Sequence, residues 1–345
     1  MMYRQERSRS PKQRGTHQHS KSANAPKTES PMGWFRVEQD VGCYQWSPQN
    51  GVAESRKHDE RTIMAQLRLE RNTPPSFKAH VALPVVLKKN LNYMMKSRFP
   101  FDMPVIVHAV VAARRGVDLN QIDFVLGGSA LGFLAAGKKE NNRKVMCAQR
   151  LGRVIFIKNI HDFSANLGDT GPQIERALVG HRIDDCKASI GSSHHLQVVH
   201  IGEHRVVISA EVDCWHAGAP AEIKASKKSG GVNTLLQMFS SGSKHLVKAH
   251  VEGDSITRID VAPRDQIVDN FNADDLRVKG DQVVRALTSL RVQFAGDGDQ
   301  SSVLELSFAN GNLVCKPCAK SALQWDLLPS SKVAARMADL EGIWH

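Results

Sequence analysis

Along this chain, short runs with an apolar residue at every second position alternate with stretches whose apolar residues recur at three and four. These are the marks of half-buried strands and amphipathic helices. "KVMCAQRLGRVIFIKNI" (144–160) predicts two strands about a tight turn at Leu151-Gly152-Arg153. "VVISAEVDCWHAGAPAEIK" (206–224) predicts two more about a Gly/Pro turn. "KHLVKAHVEGDSITRIDVAP" (244–263) turns at Glu252-Gly253-Asp254, and "SVLELSFANGNLVCKP" (302–317) carries an Asn-Gly hairpin turn. Helical spacing appears in "MPVIVHAVVAARRG", ending at Gly116, and in the second half of "ALPVVLKKNLNYMMKSRF". In "DTGPQIERALVGHRIDDC", Asp169 or Thr170 caps a helix, Pro172 sits in its first turn, and Ile174, Ala177 and Leu178 form its apolar stripe. "GGVNTLLQMFSSGS" is a short helix bounded by glycines, and "DQVVRALTSLRVQF" an amphipathic one.

Hairpins mixed with helices predict an α/β (mixed α+β) fold, with two mixed or antiparallel sheets and flanking helices rather than a doubly wound parallel sheet. No internal repeat is present. Residues 1–30 hold almost no large apolar side chain and predict a disordered basic tail, because burial cannot offset their ordering entropy. Residues 31–345 are then a single catalytic domain, with order beginning near Trp34.

Composition narrows the setting. The chain has 345 residues, 41% of them hydrophobic, enough to bury a large core. Its net charge is +11, of which the tail supplies +5, so a polyanionic partner is expected, nucleic acid first and an acidic membrane second. No run approaches the roughly 18 apolar residues of a membrane span, and the polar N-terminus lacks the hydrophobic segment of a secretory signal. The six cysteines are scattered and read as reduced thiols of an intracellular protein of the nucleus or cytoplasm. Cys315 and Cys318 form a lone CxxC, read as two cysteines in a strand-turn segment rather than a zinc site. His194, His195, His200 and His204 read as loop and surface histidines.

The pair of strands at 206–224 carries charge where a buried sheet should not. A turn symmetric about Ala217 and Gly218 sets Asp213 opposite Glu222 and Glu211 opposite Lys224, all on one face, with Val212 and Ile223 on the other. Like charges facing across a sheet destabilise it, and burying unpartnered carboxylates is costly. A divalent cation reverses that penalty, since hard ions such as Mg²⁺ and Mn²⁺ prefer carboxylate and carbonyl oxygens. Lys224 can then neutralise charge on a phosphoryl group in transfer. A solvent-facing strand pair laced with surface salt bridges is the alternative; the apolar "VVIS" lead-in favours a buried strand.

Acid, spacer, then Glu-x-Lys across a hairpin resembles the PD-(D/E)xK metal-dependent nucleases. With its neighbours the segment resembles the DXO family of decapping exoribonucleases, which also includes the fungal partner of the nuclear 5′–3′ exonuclease. The resemblance runs from about Val41 to about Leu328. "VGCYQW" is similar to the family's opening strand, and "DFVLGGSALGFLAAG" with "VMCAQRLGRVIFIKN" to the region around its first motif. "GPQIE", "AEVDC" and "EIK" fit the Gly-Φ-x-Φ-Glu, Glu-Φ-Asp and Glu-Φ-Lys motifs, and "LLQMF" falls where the family carries an active-site Gln. The resemblance implies that Glu175, Asp213, Glu222 and the Ile223 carbonyl hold one or two Mg²⁺ or Mn²⁺ ions. It implies that Glu211 positions the attacking water or binds metal through one, while Lys224 and Gln237 hold the scissile phosphate.

The implied activity is removal of unmethylated GpppN or NAD caps from RNA 5′ ends and 5′–3′ degradation, in mRNA 5′-end quality control. The alternative is a catalytically weakened relative that binds RNA without cutting it. Capped, NAD-capped or 5′-phosphate RNA is the expected partner and the expected state a monomer; no residue establishes contact with a nuclear exonuclease. One departure stands out: the family's first motif carries an Arg where this chain has Gly127 or Gly128. Lys138 and Lys139 lie near in sequence, and the Thr that usually follows Glu-Φ-Lys is Ala225.

Overall fold

The structure, a computed structural model, describes residues 32–46, 67–68, 74–88, 105–137, 144–161, 170–183, 192–228, 230–296 and 303–318. The chain parts into units Met1–Ser30 and Pro31–His345, and everything described belongs to the second. The basic tail, the helix predicted late in 82–99, Lys138, Lys139 and Cys186 lie outside the described residues.

Strands numbered along the chain build two sheets. The larger has nine, ordered β14-β13-β5-β6-β4-β8-β7-β1-β2. They are β1 (Phe35–Trp46), β2 (Leu67–Arg68), β4 (Phe124–Gly127), β5 (Lys144–Leu151), β6 (Val154–His161), β7 (Ser192–Ile201), β8 (His204–Glu211), β13 (Val303–Ala309) and β14 (Asn312–Pro317). The smaller has five, ordered β3-β12-β11-β10-β9: β3 (Val85–Val86), β9 (Cys214–His216), β10 (Ala219–Ala225), β11 (His245–Glu252) and β12 (Ser255–Pro263). Strand β4 runs parallel to both β6 and β8, and β10 runs parallel to β11. The other pairings are antiparallel, so both sheets are mixed and the predicted class holds.

The predicted hairpins close at their predicted turns. Asn310 and Gly311 sit at φ 51° and 78°, and Ala217 and Gly218 at φ 49° and 80°. Paired left-handed residues suit a two-residue hairpin because their twist matches that of the strands. One hairpin is shorter than predicted. The ladder Ala219↔His216, Pro220↔Trp215, Ala221↔Cys214 keeps the expected register, yet Glu211 does not face Lys224. It ends β8 in the larger sheet, where its partner is His194. Val212 and Asp213 carry the chain from one sheet to the other.

Six α-helices flank the sheets among the described residues: α1 (Ile106–Arg114), α2 (Gly128–Ala136), α3 (Thr170–Leu178), α4 (Val232–Ser240), α5 (Arg264–Val268) and α6 (Ala273–Gly296). Against one face of the larger sheet, α2, α4 and α6 bury Leu131, Leu134, Leu235, Leu236, Val283 and Leu287; against the other, α1 buries Ile106, Val107 and Val110. Helix α3 packs Ile174 and Leu178 on Ile223 and Val247 of the smaller sheet.

Two expectations are corrected. His194, His195 and His200 lie on β7 and His204 opens β8; His195 and His204 are only 3% and 0% exposed. Polar residues at both inward and outward positions hid the period of a strand covered by β1 on one side and β8 on the other. Helix α6 starts at Ala273, eight residues before Asp281, and runs through Gly280. That glycine is a packing requirement. A Cβ there would lie 2.2 Å from Cδ1 of Trp34, so the indole occupies the place of a side chain.

Gly280→Ala is therefore expected to lower the free energy of unfolding by about 2 kcal/mol, a typical overpacking cost. Gly132 in α2 has nothing within 4 Å of its Cβ position, and Gly132→Ala should raise stability by about 0.5–1 kcal/mol. Urea titration of both variants checks the pair; equal signs would refute the packing account.

Candidate active site

Three elements bring the predicted carboxylates together. Asp213 sits in the link between sheets, where Val212 N–H donates to Ser193 O at 2.8 Å and Trp215 N–H to Pro75 O at 2.9 Å. One turn later the chain returns as β10, and Ile223 N–H donates to Asp213 Oδ2 at 2.8 Å. Glu222, 5% exposed, pairs its Oε1 with Lys224 Nζ. Glu175 joins from α3, whose apolar stripe turns Ile174 and Leu178 into the core and leaves Glu175 half-buried. The Ile174–Leu178 contact with Ile223 thus fixes the helix over the strand that carries Glu222 and Lys224.

The electrostatics show one shared, net-negative pocket. Burial first, and then the charge of Asp213, push the Glu222 carboxyl up to about 8, against the pull of Lys224, with Glu175 adding to the rise. Burial acts to lower the Lys224 pKa, but Asp213, Glu222 and Glu175 outweigh it and raise it. Burial and the same three carboxylates raise the Cys214 thiol. Three acids against one ammonium leave negative charge out of water, which favours a bound proton or a bound cation.

As the side chains lie, no group of three or more His, Cys, Asp or Glu among the described residues is arranged to hold a metal ion. The reason is visible: Asp213 turns one oxygen to Ile223 N–H, and Glu222 turns one to Lys224. The donor set nevertheless fits a hard divalent cation, being made of carboxylate oxygens in a buried net-negative place. Opening the Glu222–Lys224 contact frees the oxygen such an ion needs.

The other predicted residues fall differently. Glu211, half-buried, ends β8 two residues before Asp213, facing His194 across the ladder. Gln237 stands exposed on α4, and none of the hydrogen bonds or ion pairs among the described residues joins it to the carboxylates. Gly127 ends β4 and Gly128 opens α2. A Cβ on Gly128 would meet Ala210 Cβ at 2.6 Å, so close packing of α2 on β8 requires glycine there. A Cβ on Gly127 would meet only ordinary contacts at 3.9 Å, with Ile157 O and Lys158 Cγ. None of the described cysteines, Cys43, Cys147, Cys214, Cys315 and Cys318, is joined in a disulfide.

Sequence reasoning missed a polar patch beside Glu211, on the α1 side of the larger sheet. Tyr44 Oη contacts His108 Nδ1 at 2.7 Å and Ser209 Oγ at 3.1 Å, and its ring stacks on His194 at 5.5 Å. Burial first, then the nearby His194 and Lys158, hold the His108 pKa well down, so this imidazole stays neutral. Lys158 is itself only 8% exposed. The residues come from α1, β1, β6, β7 and β8, so no sequence spacing could have collected them.

No protein-family model matches the chain, and no curated protein matches it. Solved structures do. Rai1 of S. pombe superposes with a TM-score of 0.60 at 15% identity, covering 85% of this chain and 97% of that one. Dxo1 of K. lactis in complex with manganese gives 0.55 at 11% identity, over 82% and 91%. Candida albicans Rai1 in complex with pU5-Mn²⁺ gives 0.53 at 9%, over 88% and 96%. The fold is therefore that of the Rai1 and Dxo1 structures, at a distance where sequence likeness has nearly vanished. No helix among the described residues is long and apolar enough to cross a membrane.

The raised Glu222 pKa has a sign that stability can read. The folded protein holds this proton between the ordinary carboxylate value of 4.5 and about 8, so the contribution of Glu222 to stability is lost as pH rises through that window. Metal-free protein should unfold more easily at pH 8 than at pH 5 through this group, and Glu222→Gln should flatten the slope. Added Mn²⁺ should stabilise more at pH 8, where no proton competes. An unchanged slope in the variant would place the proton elsewhere.

Proposed function

We propose that this protein is a metal-dependent RNA 5′-end hydrolase that removes incomplete or non-canonical caps and degrades the RNA from its 5′ end. The observation that carries the reading is the electrostatically linked set Glu175, Asp213, Glu222 and Lys224, with Glu222 buried and the others half-buried, on the Rai1/Dxo1 fold. Such a set suits phosphodiester hydrolysis: anionic oxygens to hold a divalent ion, and an ammonium to hold the phosphate. Solved structures of that fold contain manganese or pU5 with Mn²⁺, which agrees with an RNA substrate and an oxygen-ligated ion.

Glu175, Asp213 and Glu222, with the Ile223 carbonyl, would hold Mg²⁺ or Mn²⁺. When bound, such an ion lowers the pKa of a water and offsets charge on the entering and leaving oxygens. The chain's own residues do the remainder. Glu211 orients the attacking water from the end of β8. Lys224, released from Glu222, meets a non-bridging phosphate oxygen and offsets the charge that grows there. Gln237, exposed on α4, contacts the RNA rather than the carboxylates. The net positive charge gives long-range attraction to the RNA and makes binding salt-dependent. The presence of every acidic motif residue favours this reading over RNA binding without turnover, because grouping carboxylates out of water is costly.

The test is incubation with GpppN-RNA, NAD-capped RNA, 5′-monophosphate RNA and DNA in Mg²⁺ or Mn²⁺. RNA cleavage is expected, and Glu222→Ala or Asp213→Asn should slow it by about a hundredfold or more. No cleavage of any substrate, or equal cleavage by the variants, defeats the hydrolase; cleavage of DNA alone would make it a DNA nuclease.

A further inference from the structure

Strand β10 carries Glu222 and Lys224 on the face turned away from α3, since Ile223 between them packs with Ile174 and Leu178. The parallel register with β11 extends that face sideways: Glu222 stands beside Leu246, and Lys224 beside Lys248. Val247 and Ala249 lie on the α3 side with Ile223, so Leu246 and Lys248 share the face of Glu222 and Lys224. Leu246 is closed over by the core of the larger sheet, together with Ala262, its partner on β12. One row further the cover ends. Lys248 is half-buried, and Arg258, on the same face of β12, is 65% exposed.

Lys248 gains little from its neighbours in the sheet. On one side, in register, stands Lys224, and like charges side by side disfavour a sheet. Lys224 is itself held by Glu222. On the other side, opposite Lys248 in the antiparallel ladder, stands Asp260, the natural counter-ion. That carboxylate is turned elsewhere: Asp260 Oδ2 accepts from His250 Nε2 at 2.6 Å and from Arg258 Nη2 at 3.1 Å. Among the described residues no hydrogen bond or ion pair engages the Lys248 side chain. A half-buried ammonium without a partner contributes nothing to stability by pairing. At the open end of the face that carries Glu222 and Lys224, it is placed to meet an anion arriving along the sheet. Neighbouring strands lie about 4.8 Å apart, and two long side chains of like charge rising from them spread to consecutive phosphates of one strand.

We infer that Lys248 binds the backbone phosphate next to the scissile one, so that Lys224 and Lys248 hold consecutive phosphates of the RNA across β10 and β11. The inference rests on the hydrolase reading for its substrate, and it adds a substrate contact outside the motif residues.

The experiment measures binding of a 3′-labelled pentauridylate with a 5′-phosphate, by fluorescence anisotropy in Ca²⁺ over a range of salt. Uridine 5′-monophosphate serves as competitor, and cleavage in Mn²⁺ is followed in parallel. Lys248→Met should weaken pentauridylate binding by about tenfold, as one charge-assisted contact allows. It should also lower the magnitude of the salt slope of log K by about 0.7, the value for one phosphate of a single strand. Uridine 5′-monophosphate, with a single phosphate, should bind variant and wild type alike to within about twofold. Lys248→Arg should restore most of the pentauridylate affinity, and Lys248→Gln serves if Lys248→Met fails to fold. Unchanged pentauridylate affinity and salt slope overturn the inference, and so does an equal loss for the monophosphate, which would put Lys248 on the scissile phosphate. Binding that depends on Lys248 without cleavage of any RNA keeps the inference and defeats the hydrolase; cleavage with binding independent of Lys248 does the reverse.

Discussion

The two-residue crossing at Val212 and Asp213 is the constraint on which the candidate site depends. Strand β8 is locked between β4 and β7, so its last residue, Glu211, has no freedom to follow the hairpin. The backbone of Val212 is tied to Ser193, and that of Trp215 to Pro75. Asp213 is thereby held off both ladders, with its carboxylate placed to accept from Ile223 N–H of β10. A residue within a ladder would point straight up or down from a sheet; one in the crossing can face the corner where both sheets and α3 meet.

Placing acids in that corner is expensive, and the molecule bears the cost through several local contacts. Lys224 pulls against the rise in the Glu222 pKa, Asp213 takes a backbone donor, and burial with the Asp213 charge favours the protonated form of Glu222. Under the proposed function each contact is one to exchange: the proton for a cation, the lysine's carboxylate for a phosphate. A set of acids that only served stability could be replaced by apolar residues at little loss. This set is better explained by what it can exchange for.

The fold was legible in the sequence to a large degree. The turns at Gly152, Gly253 and Asn310-Gly311 announced three hairpins, and the stripe of Ile174, Ala177 and Leu178 announced α3. These signals are local, since a turn dictates left-handed backbone and an apolar stripe dictates one buried helix face. The errors arose where distant packing decides. The histidines of β7 look polar in sequence, yet they lie on a strand paired on both edges, where His195 is buried and His194 and His200 are half-buried. Gly280 reads as a helix boundary until Trp34 is seen to need its missing side chain.

For the site, the sequence by itself determined the residue types and the Cys214–Ala221 register that brings Asp213 beside the Glu-x-Lys segment. It also showed that positions 127 and 128 are both glycine. Only the tertiary structure separated their meanings: Gly128 makes room for Ala210, while a Cβ at Gly127 would meet only ordinary contacts. Only it could set Glu211 beside His194 instead of Lys224, and gather Tyr44, His108 and Ser209 around one hydroxyl. The physical reason is range. Alternation and turn chemistry act over a few residues, while the order of strands in a sheet is fixed by burial across the whole domain.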